Sequence, residues 1–270
     1  MLYLVATPIG NLEDITLRAL RILREVSLIA AEDTRHTGKL LKHYDITTPL
    51  VSYHEYSNPQ RVSHLLDQLA TADVALVSDA GMPGLSDPGY KLVEAAVQAG
   101  IPVSPIPGAT AAISALVSSG LPTDTFLFVG FLPAKSSGRQ TALRDIANLP
   151  HTLVFYEGPH RLLEMLADVQ AVLGDRPVAV ARELTKLYEE IWRGTASAAH
   201  AYFGAQERIR GELTVVVGGA VQTADIWPEQ AVRDALQALL EQGLSRKEAA
   251  VQIATQSGWR KNTIYDLGLT

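Results

Sequence analysis

The sequence predicts an α/β protein made of two α/β domains followed by a small helical module. Three observations carry this. Short apolar runs alternate with segments of helical period over residues 1–120, the pattern restarts after the Gly- and Pro-containing turn at 120–124, and the tail shows helical period alone. The expected divisions are therefore 1–120, 121–224 and 225–270.

In the first segment, residues 2–6, 28–31, 74–77 and 103–106 read as buried strands of a mostly parallel sheet. A helix is expected from about Asp14, with Ile15, Ala19, Ile22 and Val26 on one stripe. Val62, Leu65, Leu66 and Leu69 mark another. Asp87, Pro88 and Gly100 read as the cap, first turn and end of a third, and a further helix follows from Ala109. In the second segment, strands are expected at 126–129, 152–156, 178–181, 190–193 and 213–217, with helices near 139–148, 159–173 and 196–204. Two adjacent strands without an intervening helix, near 180 and 191, predict a mixed sheet. In the tail, Val232, Ala235, Leu236, Leu239 and Leu240 form an amphipathic stripe that Gly243 can end. Ser245 with Glu248 fits the S-x-x-E capping box, and a short turn at 257–258 precedes a last helix near Asn262. This module reads as similar to a helix-turn-helix, or alternatively as a packing appendage.

Composition narrows the function. The chain has 270 residues, 47% hydrophobic and 19% charged, which excludes a disordered linker. The long uncharged run 95–123 is broken by Pro102, Pro105, Pro107, Gly108 and Pro122, so it predicts no membrane span. The opening MLYLVATPIGN lacks a basic n-region, and a cytoplasmic protein is expected. There is no cysteine, which removes thiolate nucleophiles and cysteine zinc sites, and the seven histidines show no close metal spacing, so no metal is expected. The net charge of −6 argues against indiscriminate polyanion binding but leaves room for a local basic patch.

Ligands of an open α/β sheet bind beyond the carboxyl ends of its strands. The chemically rich segments fall there: Thr7 to Asn11, Glu32 to Thr37, Ser78 to Gly89 and Pro107 to Ala111. A nicotinamide site is tested first, because Asp33 stands where a ribose-binding acid would follow a first loop. The loop has one glycine and a proline in place of G-x-G-x-x-G, so that fingerprint fails, and no Walker A motif is present. Charged groups also cluster at strand ends of the second segment: Glu157 with His160 and Arg161, Arg182 with Glu183 and Lys186, and Glu212. Each alone reads as a surface ion pair; three at equivalent ends of one sheet suggest a cleft.

Taken in order, LYLVATPIGNLEDIT, AAEDTRHTGKLL, VSDAGMPGLSDPG, PIPGATAAISAL, GFLPAKSSGR, FYEGPHRL, ARELTKLYEE and GELTVVV closely resemble the bacterial ribosomal RNA small subunit methyltransferase I family, over nearly the whole chain. The resemblance implies a tetrapyrrole-methylase-like fold, S-adenosylmethionine between two α/β domains, a homodimer, and 2′-O-ribose methylation of a cytidine in the decoding region of 16S ribosomal RNA. Met82 stands in place of the family's Thr, and Ala109 and Thr110 in place of Pro and Ser or Cys.

On this reading the donor is expected to touch Pro8 and Gly10, Asp79, Ala80 and Gly81, and Pro107, Gly108 and Ala109 from one side, and Phe131, Leu132, Ala181 and Glu212 from the other. Glu32, Asp33, Arg35 and His36 are expected as an acceptor-side cluster beside the methyl group, with Glu183 a further catalytic candidate and Glu183 or His160 the proton acceptor if that cluster does not serve. Sequence does not select the base. RNA is expected at Lys135 and Arg139, on the loop leaving the first strand of the second domain, and at Arg246, Lys247, Arg260 and Lys261 in the tail. Two rivals stay open: a methyltransferase acting on a tetrapyrrole or other small molecule, and an RNA-binding protein without catalysis.

Overall fold

The structure, a computed structural model, describes residues 1–54, 59–221 and 227–267. It divides into two compact units, residues 1–220 and 221–270. The expected boundary at 224/225 lies outside the described residues.

The first unit opens with a five-stranded parallel sheet of β1 (Leu2–Val5), β2 (Leu28–Ala31), β3 (Leu50–Ser52), β4 (Val74–Val77) and β5 (Val103–Ile106), in the order β3-β2-β4-β1-β5. β4 is the uninterrupted apolar run Val-Ala-Leu-Val and is buried throughout, because two layers of side chains cover it. Helices α1 (Leu17–Glu25), α2 (Thr34–His43), α3 (Pro59–Leu69) and α4 (Tyr90–Gln98) connect these strands. All five strands run in one direction, so the loops that follow them gather at one edge.

Two local readings are corrected. The first α-helix starts at Leu17 and not near Asp14: Asn11 caps a 3-10 turn over Leu12–Asp14, and the Thr16 hydroxyl then accepts the Ala19 N–H at 3.1 Å. Asp87 does not cap α4; Gly89 holds that position at φ 150°, and Asp87 turns into a cavity.

Helix α5 (Ala111–Ser118) leads to a second sheet of β6 (Phe126–Phe131), β7 (Thr152–Glu157), β8 (Pro177–Arg182), β9 (Glu190–Thr195) and β10 (Leu213–Val217), ordered β6-β7-β10-β8-β9. Only β6 and β7 are parallel. β10 is antiparallel to both neighbours, with Val215 opposite Phe155 and Val180. Side chains alternate faces along these strands. Phe155, Val180 and Val215 pack under α6 (Ser136–Asp145), α7 (Leu162–Leu173) and α8 (Ala196–Gly204), whereas Val154, Ala179 and Val216 meet Ala112, Ala115 and Leu116 of α5. Helix α5 thus runs from the first sheet's last strand to cover the face of the second sheet opposite α6, α7 and α8. The mixed sheet matches the sequence expectation.

The second unit is helical: α9 (Glu229–Glu241), α10 (Arg246–Ser257) and α11 (Lys261–Asp266) enclose Val232, Leu236, Ala250, Ile253 and Ile264. The capping box forms as expected, with the Ser245 N–H donating to Glu248 at 3.0 Å and the Glu248 N–H donating to Ser245 at 3.3 Å. Gly258 takes the left-handed conformation that ends α10.

Candidate active site

The loops at the carboxyl edge of the first sheet are stitched together by their backbones. Thr7 and Gly81 exchange N–H···O bonds of 2.9 and 3.0 Å, and the Thr7 hydroxyl donates to the Ser78 carbonyl at 3.2 Å. Gly81 sits at φ +83°, a conformation strained for any residue with a Cβ. Gly108 serves closeness instead: a Cβ there would lie 2.8 Å from that of Ala6.

The β8–β9 turn meets the first loop from the second sheet. Asn11 donates its N–H to the Thr185 hydroxyl at 3.1 Å, and a Cβ on Gly10 would fall 2.5 Å from Lys186 Cγ. Two cavities open along this seam. The first, about 310 Å³, lies between Ile9, Ala80, Gly81, Met82, Asp87 and Thr110 on one side and Phe131, Tyr156, Ala181, Leu184 and Glu212 on the other. The second, about 350 Å³, is lined by Thr7, Pro8, Gly10, His36, Lys39, Asp79 and Lys186. Ile9, Ala80 and Glu212 line both, so the cavities are neighbours that share a wall.

This arrangement sorts the residues expected to touch a donor. Ala80, Gly81, Phe131, Ala181 and Glu212 line the first cavity, and Pro8, Gly10 and Asp79 face the second. Pro107, Gly108 and Ala109 line neither; they support the loop that delivers Thr110 and Ala111. Leu132 is 3% exposed and belongs to the core beneath the second sheet, because β6 alternates and turns Phe131 outward. Met82, Asp87, Tyr156, Leu184 and Thr214, which no strand-end motif marks as donor contacts, form much of the first cavity.

Of the residues expected near the methyl group, His36 lines the second cavity, whereas Asp33 and Arg35 engage each other. Asp33 caps α2 by accepting the Arg35 N–H at 2.8 Å, and also accepts Arg35 Nε at 3.1 Å and Nη2 at 2.8 Å. That guanidinium holds the Asp33 carboxyl well below the usual carboxylate range. Glu183 is likewise committed: Lys186 Nζ lies 2.8 Å from it and lowers its pKa, and its Oε1 also accepts the Glu212 N–H at 3.1 Å. Lys186 also reaches Glu212 Oε2 at 3.0 Å; partial burial opposes its charge, but the two carboxylates outweigh it and raise its pKa.

Four carboxylates, Glu32, Asp33, Asp79 and Asp87, crowd the loops that follow β2 and β4. Glu32 is shifted upward by burial first, the Asp79 N–H opposing, and then by the charges of Asp79 and Asp33. Asp87 is pushed up to about 6 by burial and by Glu32, with Ser78 opposing. Tyr156, whose hydroxyl accepts the Ala112 N–H at 3.3 Å, is also shifted upward by burial.

The expected RNA contacts fall into different places. Lys135 is exposed at the N-cap of α6. Arg139 is a correction: it is 1% exposed, held by Asp168 at 2.6 Å and by the Ala134 carbonyl at 3.1 Å, so its charge is displayed on no surface. Asp168, one helix away on α7, drew it inward because a buried carboxylate requires a partner. In the helical unit Lys247, Arg260 and Lys261 are exposed and Arg246 is half-buried. Among the described residues no group of three or more His, Asp or Glu could hold a metal ion, and no helix is long and apolar enough to cross a membrane.

The model of the tetrapyrrole (corrin/porphyrin) methylases matches residues 1–200. The chain is 51% identical over 272 residues to a ribosomal RNA small subunit methyltransferase I of Synechocystis, covering 100% of this chain and 97% of the relative. It is 49% identical to the protein of that name from Halalkalibacterium halodurans, covering 98% and 93%. Among solved structures it is similar in fold to uroporphyrin-III C-methyltransferase of Thermus thermophilus complexed with S-adenosylhomocysteine, with a TM-score of 0.55, 23% identity, and 80% of this chain and 96% of that one covered.

Proposed function

We propose, because this chain belongs to the tetrapyrrole (corrin/porphyrin) methylases and within them to the ribosomal RNA small subunit methyltransferase I family, that it methylates the ribose 2′-oxygen of a cytidine in the decoding region of 16S ribosomal RNA. At the coarser level it is an S-adenosylmethionine-dependent ribosomal RNA methyltransferase. The observation that supports methyl transfer is the pair of cavities sharing Ile9, Ala80 and Glu212, which offers two reactants a common wall; the ribose, the cytidine and the decoding region are what the family resemblance implies.

The first cavity fits the donor. Ile9, Met82, Leu184 and Phe131 supply apolar surface for a planar base, and Asp87 and Glu212 supply carboxylates toward a cationic ligand. When bound, S-adenosylmethionine supplies a methyl group made electrophilic by its sulfonium. The protein's task is alignment, which is worth roughly 7–11 kcal/mol when two reactants are held in near-attack geometry. The second cavity receives the acceptor ribose, with Lys39 placed toward phosphate and His36 offering an imidazole nitrogen to the hydroxyl proton. Asp33 and Glu183 are weaker proton acceptors, because Arg35 and Lys186 stabilise their ionised forms. They act instead as positioning groups, Asp33 for α2 and Glu183 for the β8–β9 turn.

The same reading includes a homodimer, which the family resemblance implies, and a cytoplasmic site of action where its ribosomal substrate resides. The test is transfer of a labelled methyl from donor to purified small ribosomal subunits lacking the modification. One methyl per subunit supports the proposal; labelling of a tetrapyrrole with none in RNA supports the small-molecule reading.

A further inference from the structure

The β8–β9 turn is held rigidly and yet exposes apolar side chains. Glu183 and Thr185 both lie at positive φ, 51° and 66°, which a Cβ disfavours. The turn is kept there by the Lys186 bridge to Glu183 and Glu212, by the Thr185 N–H donating to Glu189 at 2.6 Å, and by the Asn11 N–H on the Thr185 hydroxyl. At its tip Leu187 is 88% and Tyr188 75% exposed. An ordered turn has no folding need for a solvent-facing ring.

The adjoining loop, between α8 and β10, presents two arginines in the same way. Ile209 is buried in the core of the second sheet, while Arg208 and Arg210 on either side of it are exposed around a shallow concavity with Glu207. Neither arginine has a hydrogen bond or ion pair among the described residues, a state they share with Arg18 and Arg260, whereas Arg21, Arg35, Arg139, Arg161 and Arg182 are paired. The two loops are joined at their bases, with the Glu183 N–H donating to the Glu212 carbonyl at 3.0 Å. Lys186 and Glu212, which link them, line the acceptor cavity.

We propose that Tyr188, Arg208 and Arg210 form a docking surface for the RNA substrate beside the acceptor cavity, with Tyr188 stacking on an unpaired base and the guanidiniums meeting phosphates. The proposal rests on the ribosomal RNA reading above. In a chain of net charge −6, association with a polyanion requires cations gathered locally and left unneutralised, and these two arginines are so placed. A fixed aromatic ring adds a stacking platform that tolerates any base, and the 2′-hydroxyl to be methylated is most accessible where the strand is unpaired.

The test measures affinity of the full-length protein for small ribosomal subunits across a salt series, without turnover. Arg208→Ala/Arg210→Ala is expected to weaken binding about tenfold and to reduce the log–log salt slope by about 1.5, the release expected for two phosphates. Tyr188→Ala is expected to weaken binding about tenfold with the salt slope unchanged, and Tyr188→Phe to restore it. Donor affinity by calorimetry stays at the parent value in all three. Unchanged RNA affinity and slope in the double arginine variant overturn the proposal. So does a Tyr188→Ala protein that changes its oligomeric state and keeps its RNA affinity, which assigns the turn to a contact between copies of this chain. Loss of affinity and slope in the double arginine variant, with a parent that binds subunits but methylates nothing, supports this surface and refutes the methyltransferase reading.

Discussion

The Asp79 carboxylate accepts the backbone N–H of Asp33 at 3.1 Å, tying the end of β4 to the end of β2. The Asp79 N–H in turn donates to Glu32 at 3.4 Å, so the loop that supplies Ala80 and Gly81 to the first cavity is fastened to the start of α2, which supplies His36 to the second. Substituting Asp79 by Ala removes one acceptor and leaves the Asp33 N–H unpaired, a cost of about 1 kcal/mol. Loosening of residues 80–81 is expected to weaken donor binding by about three- to tenfold, with Asp79→Asn closer to the parent because its amide oxygen can still accept. Calorimetry with S-adenosylmethionine reads this; parent affinity in Asp79→Ala removes the residue from the donor site.

His36 is expected to matter through the rate. His36→Gln keeps a polar side chain at the second cavity and should lower kcat by about a hundredfold or more while leaving donor affinity intact. Asp33→Asn and Arg35→Ala should lower activity less, since each alters the setting of α2 and not the group facing the acceptor. Single-turnover rates at saturating donor and subunits make the comparison. A His36→Gln enzyme at the parent rate would return the proton-accepting role to Glu183 or His160.

Asp87 gives a pH signature. Its carboxyl titrates near 6 in the folded protein, against an ordinary 3.8, through burial first and Glu32 second. The folded state therefore holds this proton more tightly, and stability that is fully present below pH 3.8 is lost as pH rises through about 6. The cavity is open to solvent, and after screening the effect is about 1–2 kcal/mol. Asp87→Asn should abolish that part of the pH dependence, so the variant gains on the parent between pH 4.5 and 7 in denaturant unfolding. An identical pH dependence in the two proteins contradicts the assignment. Groups shifted downward, such as Asp168, have the opposite slope and cancel in the difference.

Arg139 should be a stability residue. Arg139→Ala leaves Asp168, with a side chain 9% exposed, without its guanidinium, and the loss of one partner of a buried pair costs about 3–5 kcal/mol. Arg139→Met with Asp168→Leu is expected to recover most of this. Urea unfolding midpoints decide, and a large loss of RNA affinity in a fully stable Arg139→Ala protein would reinstate the surface role.

Why some of this was legible and some not follows from the range of the forces involved. β2 and β4 read directly from the sequence because a strand buried on both faces must be a nearly continuous apolar run, and each is; β10 departs from this only at Thr214. Ser245 and Glu248 declared α10 because a capping box is local. β3 does not declare itself: Leu50–Ser52 is three residues long beside a Thr-Pro pair, and its register with β2 defines it more than its own composition does. Arg139 was misplaced for the same reason, since its partner Asp168 lies 29 positions away and no spacing rule connects them. At the site, the gathering of the strand-end loops is legible because parallel strands send every such loop to one edge. Which side chain faces which cavity was not legible: the division between Gly81 on one side and Asp79 on the other depends on the turn at Gly81, and Tyr156 and Leu184 arrive from a second sheet folded over the first.

The measurement that tests the central claim most directly is mass spectrometry of nucleosides from 16S ribosomal RNA of subunits lacking this modification, before and after incubation with the purified protein and S-adenosylmethionine. The predicted result is one new methyl on the ribose of a cytidine in the decoding region, present with the parent and absent with His36→Gln at short times. A methyl on a base, on another nucleoside, or on no RNA at all would contradict it.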